Sequence, residues 1–169
     1  MKLTDLFLDE LEREAASTRR VLERVPEGRY DWKPHDKSMT MGRLSTLVAT
    51  MPGWVVFTVK QDELDLNPPD GKRYEPPHLP TAADLVRALD ENVAQAREAL
   101  KSTTDEHLMT PWRLKAGGHV VSEDPKYVVL RDAVFNHLAH HRGQLTVYLR
   151  LNEAKVPPVY GPTADEGNF

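Results

Sequence analysis

The chain of 169 residues is long enough to bury a substantial core, and its length fits one domain covering residues 1–169. It contains no cysteine, which excludes disulfide bonds, thiolate metal ligands and a cysteine nucleophile. The net charge is −4, and the 22 basic residues are scattered among 26 acidic ones, so we expect no nucleic-acid partner.

The apolar segments are too short for a membrane protein. Asp5, Asp9 and Glu10 lie near the N-terminus, where a secretory signal peptide would have an apolar run. The most apolar stretch, residues 47–59, is shorter than a membrane span and contains Pro52. We therefore expect a soluble, cytoplasmic protein that makes no contact with a membrane.

Two stretches in the first sixty residues have the periodicity of amphipathic helices. Mostly apolar side chains recur every three or four positions over residues 4–25, and Pro26 ends the pattern. The predicted inward face of this first helix consists of Phe7, Leu11, Ala15, Thr18, Val21, Leu22 and Val25. After a polar connector, Ser38 and Thr40 are both suitable N-caps for a second helix, which Pro52 should bend. Its predicted inward face consists of Leu44, Leu47, Val48, Met51, Val55 and Thr58.

Residues 61–80 contain five prolines, a composition that no helix tolerates, and we predict a long surface loop there. A third helix should begin at Thr81, because Asp84 occupies the fourth position of a capping box. The predicted inward face of this helix consists of Leu85, Leu89, Val93, Ala96 and Leu100.

The period changes in residues 104–124, where short extended segments flank Gly117 and Gly118, and this pattern predicts a small hairpin or extended crossover. A fourth helix should start at Asp124 and Pro125. Its predicted inward face consists of Leu130, Val134, His137, His141, Leu145 and Tyr148. The predicted fold is therefore an all-α four-helix bundle with a long loop after helix 2 and a short extended or hairpin crossover before helix 4.

His137 and His141 are the candidate metal ligands. They are four residues apart, so their side chains lie one helical turn apart on one face, and two imidazoles so placed can chelate a divalent metal ion. An open metal site needs at least one further protein ligand. His140 lies about 100° around the helix from His141 and is a poor third ligand. Alternatively, both histidines are core residues that hydrogen-bond to partners.

Leu138 stands where the zinc-protease motif His-Glu-x-x-His has its glutamate, so that reaction class is excluded. Arg142 and Gln144 follow the histidine pair, and two interpretations are open for them. They bind a carboxylate or another polar group of a substrate, or they join helices or subunits. The sequence identifies no catalytic residue. Near the C-terminus, residues 165–166 are acidic, and we expect them on a solvated tail.

Four short motifs resemble those of one protein superfamily. They are Gly42-x-Leu44, Pro52-x-Trp54, the stretch His-x-x-x-His-Arg-Gly-Gln-Leu at residues 137–145, and Val-Pro-Pro-Val-Tyr-Gly-Pro at residues 156–162. This combination resembles the DinB/YfiT-like superfamily of metal-binding bundles. The resemblance covers nearly the whole chain. It implies a four-helix bundle, a homodimer, and a divalent metal held by three histidines.

Two of the three implied ligands would be His137 and His141, and the third belongs on the second helix, five residues before Pro52. That position is Leu47, which has no ligand atom. The resemblance also implies that active members use the metal to activate a small thiol or water, as transferases, a thiol-dependent isomerase or hydrolases. We expect instead a degenerate two-histidine site that binds zinc or nickel weakly or not at all.

The leading functional hypothesis is a DinB-like bundle of unknown reaction that binds a small molecule or acts as an accessory protein. One alternative is an active metal-dependent small-thiol S-transferase or hydrolase, whose third ligand comes from water, a partner chain or a loop histidine. The loop histidines are His35, His78, His107 and His119. A further alternative is a purely structural or oligomer-forming bundle.

Overall fold

The structure, a computed structural model, describes residues 2–68, 71 and 75–167 of the chain. The α-helices are α1 (Leu3–Leu22), α2 (Met41–Thr50), α3 (Trp54–Lys60), α4 (Ala82–Lys101), α5 (Asp105–Leu108), α6 (Lys126–Val129) and α7 (His137–Leu151). The strands are β1 (Glu63–Asp65), β2 (Pro111–Ala116) and β3 (His119–Pro125). Among the described residues, no helix is both long enough and apolar enough to cross a bilayer.

The predicted inward faces of the helices form the core. α4 packs against α1, α2 and α3, and α7 packs against α1 and α2. The predicted core residues that are buried in the first three helical stretches are Phe7, Leu11, Thr18, Val21, Leu22, Leu44, Val48, Met51, Val55, Thr58, Leu85, Leu89, Val93, Ala96 and Leu100. Leu47 is only partly buried. Helical periodicity therefore identified the buried side of each long helix.

The prediction of an all-α fold is wrong, because the protein contains a three-stranded mixed sheet. β2 and β3 form an antiparallel hairpin, with Ala116 opposite His119 beside the turn. β1 pairs with β2 in the parallel direction, with Leu64 opposite Leu114. β1 has only three residues and comes from the segment predicted as a loop, so it has no periodicity of its own. Residues 69–70 and 72–74 of that segment lie outside the described residues.

The carboxylate of Asp65 joins the end of β1 to the hairpin turn. It accepts hydrogen bonds from the backbone N–H groups of Gly117 at 2.9 Å, Gly118 at 2.7 Å and Asn67 at 2.8 Å. The bond from Asn67 is the largest of the contributions that hold the pKa of Asp65 below its ordinary value. Gly117 and Gly118 both have positive φ, which a glycine adopts without steric strain.

The predicted second helix bends where the sequence places Pro52. A 3₁₀ turn, Met51–Gly53, separates α2 from α3. The backbone approaches α4 closely here, because a Cβ on Gly53 would lie 2.1 Å from Oδ1 of Asn92. The bend sets the direction of α3, whose first residue is Trp54.

The predicted fourth helix has three segments, and it begins at Lys126 rather than at Asp124, because Asp124 and Pro125 belong to β3. A π-helical stretch, Leu130–Asn136, connects α6 to α7, and α7 begins at His137. In a π-helix the hydrogen bonds run from residue i to residue i+5, and such stretches are rare. Its buried side chains are Leu130, Val134 and Phe135. Phe135 stacks on Phe7 of α1, with the ring centroids 5.7 Å apart.

The C-terminal tail is fastened to the helices through its two acidic residues; Asp165 is exposed, as expected, whereas Glu166 is partly buried. Asp165 pairs with Arg150 of α7 at 2.5 Å, and Glu166 pairs with Arg24, just beyond the end of α1, at 2.8 Å. Asp165 also accepts a hydrogen bond from the backbone N–H of Val156. The hydrogen bond from Arg150, followed by that from Val156, holds the pKa of Asp165 below its ordinary value.

Lys126, the first residue of α6, has a completely buried side chain. Its ammonium donates to the carbonyl oxygens of Thr58 at 3.0 Å and Gln61 at 2.5 Å, which lie at the C-terminal end of α3. It also forms an ion pair with the exposed carboxylate of Asp62 at 3.0 Å. The hydrogen bond from Lys126 lowers the pKa of Asp62. All three N–H groups of the Lys126 ammonium therefore have an acceptor, and Lys126 caps the C-terminal end of α3.

We predict that Lys126→Met lowers the free energy of unfolding by about 2–4 kcal/mol, because the buried carbonyl of Thr58 and the partly buried carbonyl of Gln61 lose their donor. Lys101→Met is the matched control, since Lys101 is exposed at the end of α4, where it forms an ion pair with Glu98. The control should change stability by less than about 1 kcal/mol. Urea unfolding of both variants measures the difference, and equal losses would contradict the capping role.

Candidate functional site

The histidine pair lies at the start of α7, opposite the start of α3. His137 is partly buried and His141 is 9 % exposed. Their ring centroids are 4.5 Å apart, and the ring of Trp54 lies 5.6 Å from that of His137. Thus the structure brings together the two predicted metal ligands and one aromatic residue of the predicted second helix.

Hydrogen bonds connect the polar side chains of this cluster. Nε2 of His137 lies 2.8 Å from Nε2 of His141, and Nδ1 of His141 lies 2.8 Å from Oε1 of Gln144. The amide nitrogen of Gln144 donates to Nε2 of His140 at 3.0 Å. His140 and Gln144 are both exposed. The cluster therefore runs from the partly buried His137 to the surface of α7.

The environment of His141 favours the neutral imidazole. Burial lowers its pKa, because a charged ring loses its hydration inside the protein. The neighbouring rings of His137 and His140 also lower the pKa, and the hydrogen bond with Gln144 opposes the shift. A neutral imidazole is the form of histidine that binds a metal ion.

The residues present do not complete the three-histidine metal site that the family resemblance implies. Two nitrogen ligands of a tetrahedral zinc ion lie about 3.3 Å apart. The Nε2 atoms of His137 and His141 are 2.8 Å apart and are hydrogen-bonded to each other. Leu47 lies in α2, which packs against α7, and it offers no donor atom. Within residues 2–68, 71 and 75–167, no group of three His, Cys, Asp or Glu side chains is arranged to hold a metal ion.

The four histidines predicted to lie in loops have other contacts, and two of them lie in regular elements, His107 in α5 and His119 in β3. Nδ1 of His35 accepts a hydrogen bond from the backbone of Lys37, and the ring of His78 meets that of Tyr30 at 4.7 Å. His107 donates from Nε2 to the carbonyl oxygen of Val59 at 2.9 Å, near the end of α3. His119 is exposed at the start of β3. None of these four forms a three-ligand group with the pair among the described residues.

Comparison with known proteins identifies the family. The family model described as the DinB family matches residues 1–168. The chain belongs to the DinB family. This match confirms the family predicted from the four sequence motifs.

The related proteins do not supply a reaction. The chain is 26 % identical over 163 residues to the uncharacterized protein YrdA of Bacillus subtilis strain 168, a match that covers 96 % of this chain and 90 % of YrdA. A DinB-like protein from Bacillus cereus ATCC 10987 has a similar solved structure, with a TM-score of 0.68 and 23 % identity, covering 91 % of this chain and 95 % of that one. The DinB-like protein YjoA of Bacillus subtilis matches with a TM-score of 0.68 and 20 % identity, covering 90 % and 96 % of the two chains. At these identities the solved structures support the fold alone.

Arg142 of the family motif points into the protein, where it is 1 % exposed. Its guanidinium donates to Oγ1 of Thr18 at 3.0 Å and forms an ion pair with the carboxylate of Glu14 at 2.6 Å. It also donates to the hydroxyl of Tyr160 and lies over that ring, 5.1 Å from its centroid. The hydroxyl of Tyr160 in turn donates to Glu14 at 2.9 Å. Arg142 therefore joins α7, α1 and the tail, as in the packing interpretation.

Gln144 contacts only the histidines among the hydrogen bonds described for its side chain. Glu14 was not identified from the sequence as part of this region. Its position in the sequence could have identified it. Glu14 lies four residues before Thr18, which belongs to the predicted inward face of α1, so Glu14 lies next to the buried side of that helix. The charge at position 14 could have indicated a partner for a buried cation.

We predict that Arg142→Met in this DinB-family protein lowers the free energy of unfolding by about 3–5 kcal/mol, because the partly buried carboxylate of Glu14 loses its counter-ion. The double variant Glu14→Gln/Arg142→Met should recover part of the loss, since it removes the uncompensated charge. Arg113→Met is the control, because Arg113 forms an exposed ion pair with Glu123 on the hairpin. Urea unfolding checks the series. A double variant less stable than Arg142→Met would contradict the buried ion pair.

Proposed function

We propose that this DinB-family protein carries a degenerate two-histidine metal site and acts as a small-molecule-binding or accessory protein. The observation that carries the proposal is the direct hydrogen bond between the Nε2 atoms of His137 and His141, together with Leu47 at the position of the third ligand. Two imidazoles bonded to each other must separate before both can bind one metal ion, and two protein ligands leave the ion weakly held.

The surroundings of His137 support the binding of a small molecule. The partly buried ring of His137 lies close to the rings of Trp54 and His141, so polar and aromatic groups occur side by side. Sites for small molecules typically combine apolar and aromatic walls with a few polar groups. Arg142 has Glu14 as its counter-ion, so recognition of a substrate carboxylate by Arg142 is not part of the proposal.

Metal content of the purified protein tests the degenerate site. We expect well below one zinc or nickel ion per chain when the protein is prepared without a histidine tag and analysed by plasma mass spectrometry. The expectation follows from the missing third ligand at Leu47. Stoichiometric metal would overturn the proposal and would favour an active small-thiol S-transferase or hydrolase of the same family.

Restoring the missing imidazole extends this test. Leu47→His should raise zinc affinity at least about tenfold, because a third imidazole completes an open tetrahedral set. Leu47→Gln introduces a polar side chain without an imidazole and should give no such gain. Adding His141→Ala to Leu47→His should abolish the gain. Calorimetric zinc titration measures all three variants. Unchanged affinity in Leu47→His would sink the assignment of position 47 as the vacant ligand position.

We also propose that the protein forms a homodimer, which the family resemblance implies. Val147 and Leu151 support this, since they lie four residues apart on one ridge of α7 and are 57 % and 55 % exposed. Val147→Lys should shift the mass measured by light scattering from dimer to monomer. Val120→Lys is the control, because Val120 is similarly exposed on the hairpin. A wild-type monomer, or a dimer unaffected by Val147→Lys, would contradict this ridge as the interface.

A further inference from the structure

The hydrogen bonds around Gln144 have a direction that follows from the chemistry of the amide. An amide oxygen only accepts hydrogen bonds and an amide nitrogen only donates them. Oε1 of Gln144 faces Nδ1 of His141 at 2.8 Å, so this ring nitrogen must carry the hydrogen. Nε2 of Gln144 faces Nε2 of His140 at 3.0 Å, and the amide N–H donates to that ring nitrogen.

The direction continues from His141 to His137. A neutral imidazole carries one hydrogen, and a ring protonated at Nδ1 has a lone pair at Nε2. Nε2 of His141 must therefore accept the hydrogen bond at 2.8 Å, and Nε2 of His137 must donate it. Each of these donors therefore has an acceptor within the cluster.

We infer that Gln144 is a positioning residue that sets the tautomers of the histidine pair, with the hydrogen on Nδ1 of His141 and on Nε2 of His137. In this arrangement His137 presents no lone pair at Nε2. Before both Nε2 atoms could bind one cation, the hydrogen of His137 would have to move to Nδ1. The role of Gln144 rests on the proposed function, because it describes how the pair is stabilised when no metal is present.

Gln144 has two opposite effects on the ability of the histidine pair to bind a metal ion. By fixing the hydrogen on Nδ1, Gln144 leaves Nε2 of His141 as a hydrogen-bond acceptor, the state in which a histidine can also bind a metal. The same choice makes His137 the donor, which disfavours chelation by the pair. A third ligand at position 47 would therefore have to compete with an internal hydrogen bond that Gln144 maintains.

Imidazole ¹⁵N NMR on protein treated with a chelator tests this assignment. The measurement is made about two pH units above the ordinary histidine pKa, so that the rings are neutral. Resonances are assigned with single His→Gln variants. In the wild type we expect the Nδ1–H tautomer at His141 and the Nε2–H tautomer at His137. An Nε2–H tautomer at His141 would overturn the inference.

Variants of Gln144 distinguish positioning from packing. Gln144→Leu should average the two ¹⁵N shifts of His141, because neither tautomer is then selected. Gln144→Glu should restore the Nδ1–H form, since a carboxylate oxygen also accepts from Nδ1. Gln95→Leu is the matched control, as Gln95 is an exposed glutamine on α4. Backbone amide spectra verify folding, and an unchanged His141 tautomer in Gln144→Leu would overturn the role of Gln144.

The two proposals can fail separately. The tautomers are measured after metal removal, so their outcome does not depend on how much metal the purified protein contained. Stoichiometric zinc would overturn the degenerate site while leaving the NMR assignment of Gln144 intact. Conversely, an unaltered tautomer of His141 in Gln144→Leu would show that Gln144 does not set the tautomers of the pair. The expected metal content would not change.

Discussion

The buried guanidinium of Arg142 requires a carboxylate beside it, and this requirement shapes the region around the candidate site. A charge inside a protein is destabilising unless a counter-ion and hydrogen bonds replace its hydration. Glu14 supplies the counter-ion from α1, and Tyr160 supplies a hydroxyl from the tail. Because Arg142 directly follows His141, the ion pair that fixes α7 against α1 also fixes the position of the histidine pair.

The histidines next to Arg142 satisfy their polar atoms in a different way. Arg142 reaches across to other elements, whereas His137, His141 and Gln144 bond to one another within α7. Side chains three and four residues apart on a helix meet without help from the tertiary fold. The cluster can therefore keep its hydrogen bonds whatever residue α2 presents. This independence explains how a leucine at position 47 is compatible with a buried histidine pair.

The long helices and the placement of His141 could be predicted because helical periodicity depends on residues close in sequence. Leu85, Leu89 and Val93, for example, identify the buried face of α4 without knowledge of any other element. The hairpin of β2 and β3 could be predicted from the extended segments that flank Gly117 and Gly118, but β1 and the three-stranded sheet could not. Three residues, Glu63–Asp65, become a strand only because β2 lies beside them, and no local pattern records that pairing. The partner of Arg142 was missed for the same reason, since Glu14 precedes it by 128 residues.

The π-helical stretch before His137 shows a further limit of periodicity and bears on the site. The spacing of Leu130, Val134 and His137 is compatible with an ordinary helix, so the sequence carries no signal for hydrogen bonds from i to i+5. A π-turn holds more residues than an α-turn, and it therefore changes which face of the following helix meets the core. The register with which His137 enters α7 thus depends on contacts made in the preceding π-helical stretch, including the stacking of Phe135 on Phe7. Phe7 belongs to α1, the helix that also supplies Glu14, the counter-ion of Arg142. α1 therefore contacts the chain just before the histidine pair, at Phe135, and just after it, at Arg142.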